Sequence, residues 1–227
     1  LFRSMSGLVV LLGPDGSGKS TIGDLVAQEL YKQPYKICRR YEYNFRILPE
    51  LKQFKRAIAK LLGREVKEAE VVDPGTEGSG MNEDHNAMKG MVYVTYYALD
   101  YILGRLPLFK LRGQGTLLMF ARFFHDYYYQ RGYGKVPRWY LRMLEALVPK
   151  PDLILYLDRD ADEIYHGKPE LDADEIMRQQ KVIKEVVSKR AHAHVIDASQ
   201  GIDATVKAVK EKVIAMQHSR WGIQGDQ

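Results

Sequence analysis

The sequence predicts an α/β protein in which a parallel β-sheet is covered by helices on both faces. Segments of strand character alternate with segments of helical periodicity along the chain, which is the pattern of a doubly wound sheet. The first strand segment is a continuous apolar run rather than an alternating one. Such a run is expected for a strand that is buried on both faces.

In the first half of the chain, two strands and three helices are predicted. The first strand is GLVVLLG, an apolar run bounded by glycines, and the helix after it spaces its apolar residues at intervals of three and four. A basic and aromatic stretch gives a second strand, an amphipathic segment ending near Gly63 gives a second helix, and a strongly apolar, aromatic segment gives a third. These strands are residues 7–13 and 35–45, and the helices are residues 19–33, 48–63 and 87–104.

In the second half, three strands alternate with three helices. The first of these helices has a proline near its start, where the missing N–H costs nothing. The second opens with acids and closes with bases, as the helix dipole favours. The strands are residues 115–120, 151–158 and 193–198, and the helices are residues 137–148, 172–190 and 202–217.

Length and composition indicate one domain. The chain has 227 residues, of which 45% are hydrophobic, enough for a single large core. We expect this domain to span residues 7–217, with flexible ends at 1–6 and 218–227. The single cysteine, Cys38, cannot form an internal disulfide, which suits a reducing, cytoplasmic location.

The charge balance constrains partners only weakly. A formal net charge of +5 suits a small anionic ligand as well as a nucleic acid, so it gives nucleic-acid binding no specific support and we do not expect it. No apolar stretch approaches the roughly 20 residues that span a bilayer, so no membrane partner is expected. A homodimer is left open.

One motif carries clear chemistry. GPDGSGKST, residues 13–21, matches G-x-x-x-x-G-K-[ST] and lies between a predicted strand and a predicted helix. Glycines let the loop turn its N–H groups towards a phosphate, and the helix N-terminus adds positive potential. Lys19 is expected to reach the β- and γ-phosphates of ATP, and the Ser20 hydroxyl to bind Mg²⁺. The expected ATP-binding residues of this loop are Gly13, Asp15, Gly16, Ser17, Gly18, Lys19, Ser20 and Thr21.

Two positions are unusual for a protein with this motif: one lies inside it, and the other follows a later strand. An acid beside a polyphosphate is electrostatically unfavourable, so Asp15 either holds an acceptor hydroxyl or the transferred group, or is an ordinary turn residue. In phosphate-transferring proteins with this loop, another acid usually holds Mg²⁺ from the tip of a neighbouring strand. The strand LLMF is the best candidate for that role, but the residue after it is Ala121.

Together these residues resemble the thymidylate kinase-like branch of the P-loop nucleoside monophosphate kinases. GPDGSGKST is similar to that branch's loop, FARFFHDYYYQ to its D-R-[FYH] motif, and PDLILYLD to its fourth strand, which precedes a mobile lid. The resemblance runs from about residue 7 to 215. The chain is most similar to members of the branch found near polysaccharide or sugar-phosphate genes, because RRYEYNFRILPELK stands where thymidylate kinases carry R-E-P-G-G-T.

The resemblance implies a three-layer α/β/α P-loop kinase fold. Five parallel strands would lie in the order 2-3-1-4-5, with a helical lid. It implies ATP and Mg²⁺ as cofactors and phosphoryl transfer to a nucleotide or a sugar-like hydroxyl compound. Lys19, Asp15 and Arg122 are the expected catalytic residues. The other implied positions are Ala198 beside the adenine, Arg40, Arg122 and Asp126 at the acceptor, and Lys168 and Arg178 in the lid.

Two departures from the family pattern lead to an alternative. The D-R motif reads Ala121-Arg122, and the lid reads YHGKPE, with Gly167 where the family often places an arginine. Losing the acid weakens Mg²⁺ coordination, and losing a lid arginine removes a stabiliser of transferring charge. The alternative function is therefore a catalytically weak nucleotide-binding regulatory or partner protein.

Overall fold

A computed structural model describes residues 6–31, 38–41, 45–49, 53, 86–167 and 171–221. Nearly all of the predicted helix 48–63 and the predicted lid residue Lys168 lie outside the described residues.

The described strands form one parallel sheet of five strands, in the predicted order β2-β3-β1-β4-β5. The central strand β1 pairs with β3 on one side and β4 on the other, so that Val10 lies opposite Phe120 and Ile154. A central, fully buried strand explains why β1 is a continuous apolar run. The strands are β1 Gly7–Leu12, β2 Cys38–Tyr41, β3 Leu117–Phe120, β4 Leu153–Asp158 and β5 Ala193–Asp197.

Seven α-helices and two short 3-10 helices are described. The helix α3 was not predicted from the sequence, and α7 continues beyond the predicted domain boundary at residue 217. The α-helices are α1 Lys19–Tyr31, α2 Ala87–Leu103, α3 Arg105–Gly113, α4 Arg138–Leu147, α5 Ala161–Gly167, α6 Ala173–Ser188 and α7 Ile202–Trp221, and the 3-10 helices are Phe124–Tyr128 and Arg131–Tyr133.

Alternate side chains of β1 enter two separate hydrophobic clusters, one on each face of the sheet. Val9 and Leu11 pack with apolar residues of α1 and α7. Leu8, Val10 and Leu12 pack on the other face with residues of α2, α3, α4 and α6. This period of two, with helices on both faces, is the expected three-layer α/β/α arrangement.

Because all five strands are parallel, their C-terminal ends meet at one edge of the sheet. The residues that follow β1, β3, β4 and β5 are Gly13, Ala121, Arg159 and Ala198. In open α/β sheets, this edge is where ligands bind. Within the described part of the chain, no helix combines the length and apolar character needed to cross a membrane.

Candidate active site

The loop between β1 and α1 has the backbone that its glycines permit. Gly16 and Gly18 adopt φ values of +88° and +86°, a region that side chains rarely occupy. A Cβ at Gly13 would collide with Ser17 Oγ. That Oγ is buried and has no hydrogen-bond partner among the described residues. A tightly curved loop with an uncommitted hydroxyl is suited to surrounding an anion.

Lys19 lies inside this curve. Its Nζ donates to the carbonyl oxygens of Gly13 (2.7 Å) and Pro14 (2.8 Å), and it lies 3.7 Å from Asp15 Oδ1. Burial lowers the pKa of Lys19 to about 8, although the Asp15 carboxylate opposes the shift. The structure therefore holds an ammonium group, largely shielded from water, at the centre of the loop.

Arg122 and Asp15 form a direct ion pair, with the guanidinium Nη2 donating to Asp15 Oδ1. Both side chains are mostly covered, at 20% and 15% exposure, so this pair is less screened than a surface pair. The contact brings together two predicted catalytic residues that are 107 positions apart in the sequence. In this arrangement, Asp15 fixes the orientation of Arg122.

Asp126 is buried close to these charges. Its side chain is 4% exposed, and neither carboxyl oxygen accepts a hydrogen bond of good geometry from the described residues. Burial raises the pKa of Asp126 to about 6, against the opposing positive charges of Lys19 and Arg122. The Tyr129 hydroxyl also lowers this pKa, but a buried carboxyl group with so few hydrogen-bond partners is uncommon and calls for a functional explanation.

This pKa predicts a pH dependence of stability. The folded protein keeps the Asp126 proton until about pH 6, whereas the unfolded chain releases it near 3.8. Between these values the folded state binds more protons, so stability falls as pH rises. The free energy of unfolding lost between pH 3.8 and pH 6 is on the order of 3 kcal/mol, since one pKa unit corresponds to about 1.4 kcal/mol. Asp126→Asn should remove this slope and raise the melting temperature at pH 7.

Chemical denaturation at pH 4 to 7 measures the effect directly. Asp174→Asn is the matched control, because Asp174 is exposed in the first turn of α6 and its removal should leave the slope in place. If Asp126→Asn keeps the wild-type slope, the Asp126 carboxyl titrates as an ordinary surface group.

A cavity of about 330 Å³ opens beside the loop, between it and the segment after β5. Ala198, predicted to lie beside the adenine, is in its wall, as are Gly16, Ser17, Gly18 and Thr21. No local pattern indicates the other lining side chains, since their positions depend on how the segments after β4 and β5 pack. They include Arg159, Glu163, Ser199, Ile202 and Thr205.

The two positions linked to Mg²⁺ differ in environment. The Ser20 side chain is exposed in the first turn of α1, where a hydroxyl can take part in metal binding. Ala121 follows the last residue of β3 and is 1% exposed. Ala121 directly precedes Arg122, and it lies at the same edge of the sheet as the loop after β1.

The remaining predicted residues are placed as follows. Arg40 pairs through its backbone with Met119 in β3, and its side chain is outside the described part. The Arg178 side chain is held by two hydrogen bonds, because its Nη2 donates to the Tyr129 carbonyl (2.6 Å) and to Glu175 Oε1 (2.7 Å). It joins helix α6, where the resemblance places the lid residue Arg178, to the segment after β3.

Tyr129 is a site residue that the motifs in the sequence do not single out. Three consecutive tyrosines cannot face one way, and the structure separates them. Tyr127 lies in the core, Tyr128 donates to Glu145 Oε2 (2.5 Å), and Tyr129 donates to the Gly13 carbonyl (3.2 Å). Tyr129 thus contacts the loop after β1 with its side chain and helix α6 with its backbone.

The sheet order, the loop and the lid helices define a P-loop kinase fold. No family model matches the sequence, and no curated protein matches it. Solved structures of thymidylate kinases do match. The enzyme from Ehrlichia chaffeensis is 18% identical with a TM-score of 0.57, covering 91% of this chain and 97% of that one. The enzyme from Candida albicans is 16% identical with a TM-score of 0.61, covering 92% of each chain. The chain therefore has the fold of the thymidylate kinases.

Proposed function

We propose that this chain is an ATP-dependent phosphotransferase that moves the γ-phosphoryl group of ATP to a small acceptor. One observation carries the proposal: the Lys19 ammonium is buried within a loop of positive-φ glycines, beside a cavity of about 330 Å³. This geometry suits a polyphosphate in the loop and a nucleoside in the cavity. The thymidylate kinase fold supports the same reaction class.

The residues present fit ATP and Mg²⁺. In the proposed complex, Lys19 leaves the carbonyl oxygens of Gly13 and Pro14 for the phosphates, and the unpartnered Ser17 Oγ becomes a donor to them. The exposed Ser20 hydroxyl binds Mg²⁺. Ala198 and its neighbours hold the adenine. Mg²⁺, when bound, neutralises charge on the transferring phosphoryl group.

Arg122 and Asp126 hold the acceptor in this proposal, with Arg40 as a third contact. Arg122 and Asp126 lie on the segment directly after β3, and the Arg122–Asp15 pair joins this segment to the loop after β1. The acceptor is a nucleotide or a sugar-like hydroxyl compound. The similar fold of thymidylate kinases favours the first, and the Candida albicans enzyme is described as having broad substrate specificity. The resemblance to sugar-associated members favours the second. Lys168 and Arg178 belong to the lid.

The alternative is a nucleotide-binding regulatory or partner protein of weak catalytic power. Ala121 favours it, because a methyl group at the end of β3 cannot hold a magnesium-bound water. Binding of Mg-ATP without transfer to any acceptor would decide for this alternative.

The test is a pair of measurements on the whole chain. Calorimetry measures Mg-ATP affinity, and mass spectrometry follows phosphate transfer to a panel of nucleoside monophosphates, nucleosides and sugars. Failure to bind ATP at millimolar concentration contradicts both functions. Bound ATP and a phosphorylated acceptor support the kinase.

We further propose that residues 7–217 form one cytoplasmic domain that pairs as a homodimer. Helix α2 carries exposed apolar side chains at intervals of four and seven residues, which form one stripe: Met88, Val92, Leu99 and Leu103. Exposed apolar stripes of this kind commonly mark interfaces. Leu99→Glu should convert the dimer to a monomer in sedimentation equilibrium, whereas Met143→Glu, an exposed apolar position on α4, should not. A monomeric wild type would contradict the pairing.

A further inference from the structure

The carboxyl group of Asp126 is buried beside the charged groups of Lys19 and Arg122. Neither oxygen accepts a hydrogen bond of good geometry among the described residues, although the Tyr129 hydroxyl lies close enough to lower the pKa of the carboxyl group. A structural carboxylate normally accepts several hydrogen bonds when it is buried. Asp100, which is 0% exposed, differs in one oxygen: its Oδ1 accepts from the backbone N–H groups of Ile47 and Leu48 at 2.7 Å, while its Oδ2 has no hydrogen-bond partner among the described residues.

The charges around Asp126 favour an uncharged acceptor. Among the described side chains near it, Arg122 has its charge offset by Asp15, so that it meets the acceptor as a hydrogen-bond donor rather than as a free cation. Lys19 belongs to the donor phosphates in the proposed function. A phosphate-bearing acceptor would bring about two more negative charges next to the carboxylates of Asp15 and Asp126 in a poorly hydrated site, which is costly. A hydroxyl compound would bring none.

We propose that Asp126 is the general base of the reaction and that the acceptor is a hydroxyl compound, such as a sugar or nucleoside, rather than a nucleoside monophosphate. This inference rests on the proposed kinase function. Asp126 takes the hydroxyl proton as the hydroxyl oxygen forms a bond to the γ-phosphorus. The bond from that phosphorus to the β–γ bridging oxygen breaks, and ADP leaves with its electron pair. Asp126 then releases the proton to water.

The titration of Asp126 agrees with this role. A base is most effective when its pKa lies near the working pH, and burial raises the pKa of Asp126 to about 6. The charged and titratable groups that face it come from several elements, and they are Lys19 of α1, Asp15 of the loop, Tyr101 of α2 and, on its own segment, Arg122, Tyr127 and Tyr129. Activity should therefore be lost as pH falls through about 6.

The experiment compares wild type, Asp126→Asn and Asp126→Glu, with Asp174→Asn as the exposed control. Single-turnover loss of the γ-phosphate from Mg-ATP is measured from pH 5 to 8, first with water as the acceptor and then with nucleosides, sugars and thymidine monophosphate. General-base catalysis contributes about 10²- to 10⁴-fold. Asp126→Asn should lose at least about 100-fold and lose the rise in rate near pH 6, and Asp126→Glu should recover part of both.

Two readouts do not depend on turnover. Calorimetric affinity for Mg-ATP should be nearly the same in all four proteins. The carboxyl ¹³C resonance of Asp126, assigned by its absence in Asp126→Asn, should titrate near pH 6 and shift when Mg-ATP binds. A structural Asp126 would change stability without changing the pH–rate profile.

The outcomes separate this inference from the proposed function. If wild type does not bind ATP, the proposed function fails and the inference fails with it. If ATP binds tightly but Asp126→Asn keeps the wild-type pH–rate profile, or if thymidine monophosphate is the acceptor and Asp126→Asn phosphorylates it normally, only the inference is overturned. An unchanged Asp126 resonance on ATP binding also overturns it.

Discussion

Lys19→Ala should weaken Mg-ATP binding by at least about 100-fold, because the lost ammonium would otherwise donate charge-assisted hydrogen bonds to the phosphates, each worth about 1.5–3 kcal/mol. The fold should survive. The two carbonyl oxygens that Lys19 contacts each have a second donor, since Gly13 O accepts from Tyr129 and Pro14 O from the Ser17 N–H. Burial already disfavours the Lys19 charge, so its removal should not destabilise the protein.

Calorimetry with Mg-ATP measures this effect, and circular dichroism verifies the fold. Lys207→Ala is a matched control, because Lys207 is exposed on α7 and its loss should leave the affinity unchanged. A folded Lys19→Ala protein that binds ATP like wild type would show that the glycine loop is not a phosphate site.

Ala121→Asp should raise phosphoryl transfer by about 10²-fold or more, if it restores one electrostatic contact in the transition state. The resembling kinases carry aspartate at this position, directly after the strand beside the phosphate loop. A carboxylate there would hold magnesium-bound water and bring the metal's charge towards the bridging oxygen. Ser20 and the phosphates can still hold the ion in wild type, so ATP binding should already be present, with a weaker dependence on magnesium.

Ala121→Asp should also destabilise the protein in a way that depends on Mg²⁺, which gives a second test. Position 121 is buried, and Asp15 and Asp126 already place two carboxyl groups at this edge of the sheet. A third charge should lower the melting temperature without Mg²⁺ and recover it when Mg-ATP is added. Single-turnover γ-phosphate loss across a magnesium titration tests the effect, with Ala121→Asn as the uncharged control. If Ala121→Asp folds and binds ATP but shows neither faster transfer nor a stronger magnesium dependence, the Ala121 methyl group serves only packing.

The fold was predictable where local pattern and burial agree. β1 is apolar throughout because it is central in the sheet, and the motif between it and α1 fixes the connection. Helices with clear periodicity or end charges, such as α6, were found within a few residues. α3 was missed, because Pro107 and a mixed composition hide its period. The expected span of the domain, residues 7–217, stays a prediction.

The site was predictable in its residue types but not in its contacts. The motif gave Lys19 and Ser20, and the resemblance gave Arg122 and Asp126. Nothing local to either segment could show that Asp15 pairs with Arg122. The burial of Asp126, which raises its pKa, likewise results from tertiary packing and not from the residues next to it in the sequence.

The two contacts of Tyr129 couple two parts of the molecule. Its hydroxyl donates to the Gly13 carbonyl in the loop after β1, and its carbonyl accepts from Arg178 of α6. One residue therefore links two parts of the chain that make no other contact described above. A replacement for α6 would need both an arginine at the place of Arg178 and a matching backbone at 129 to keep this link. Movements of α6 and of the loop after β1 are therefore coupled through one residue, and a substitution that reshapes either part must be accommodated by the other.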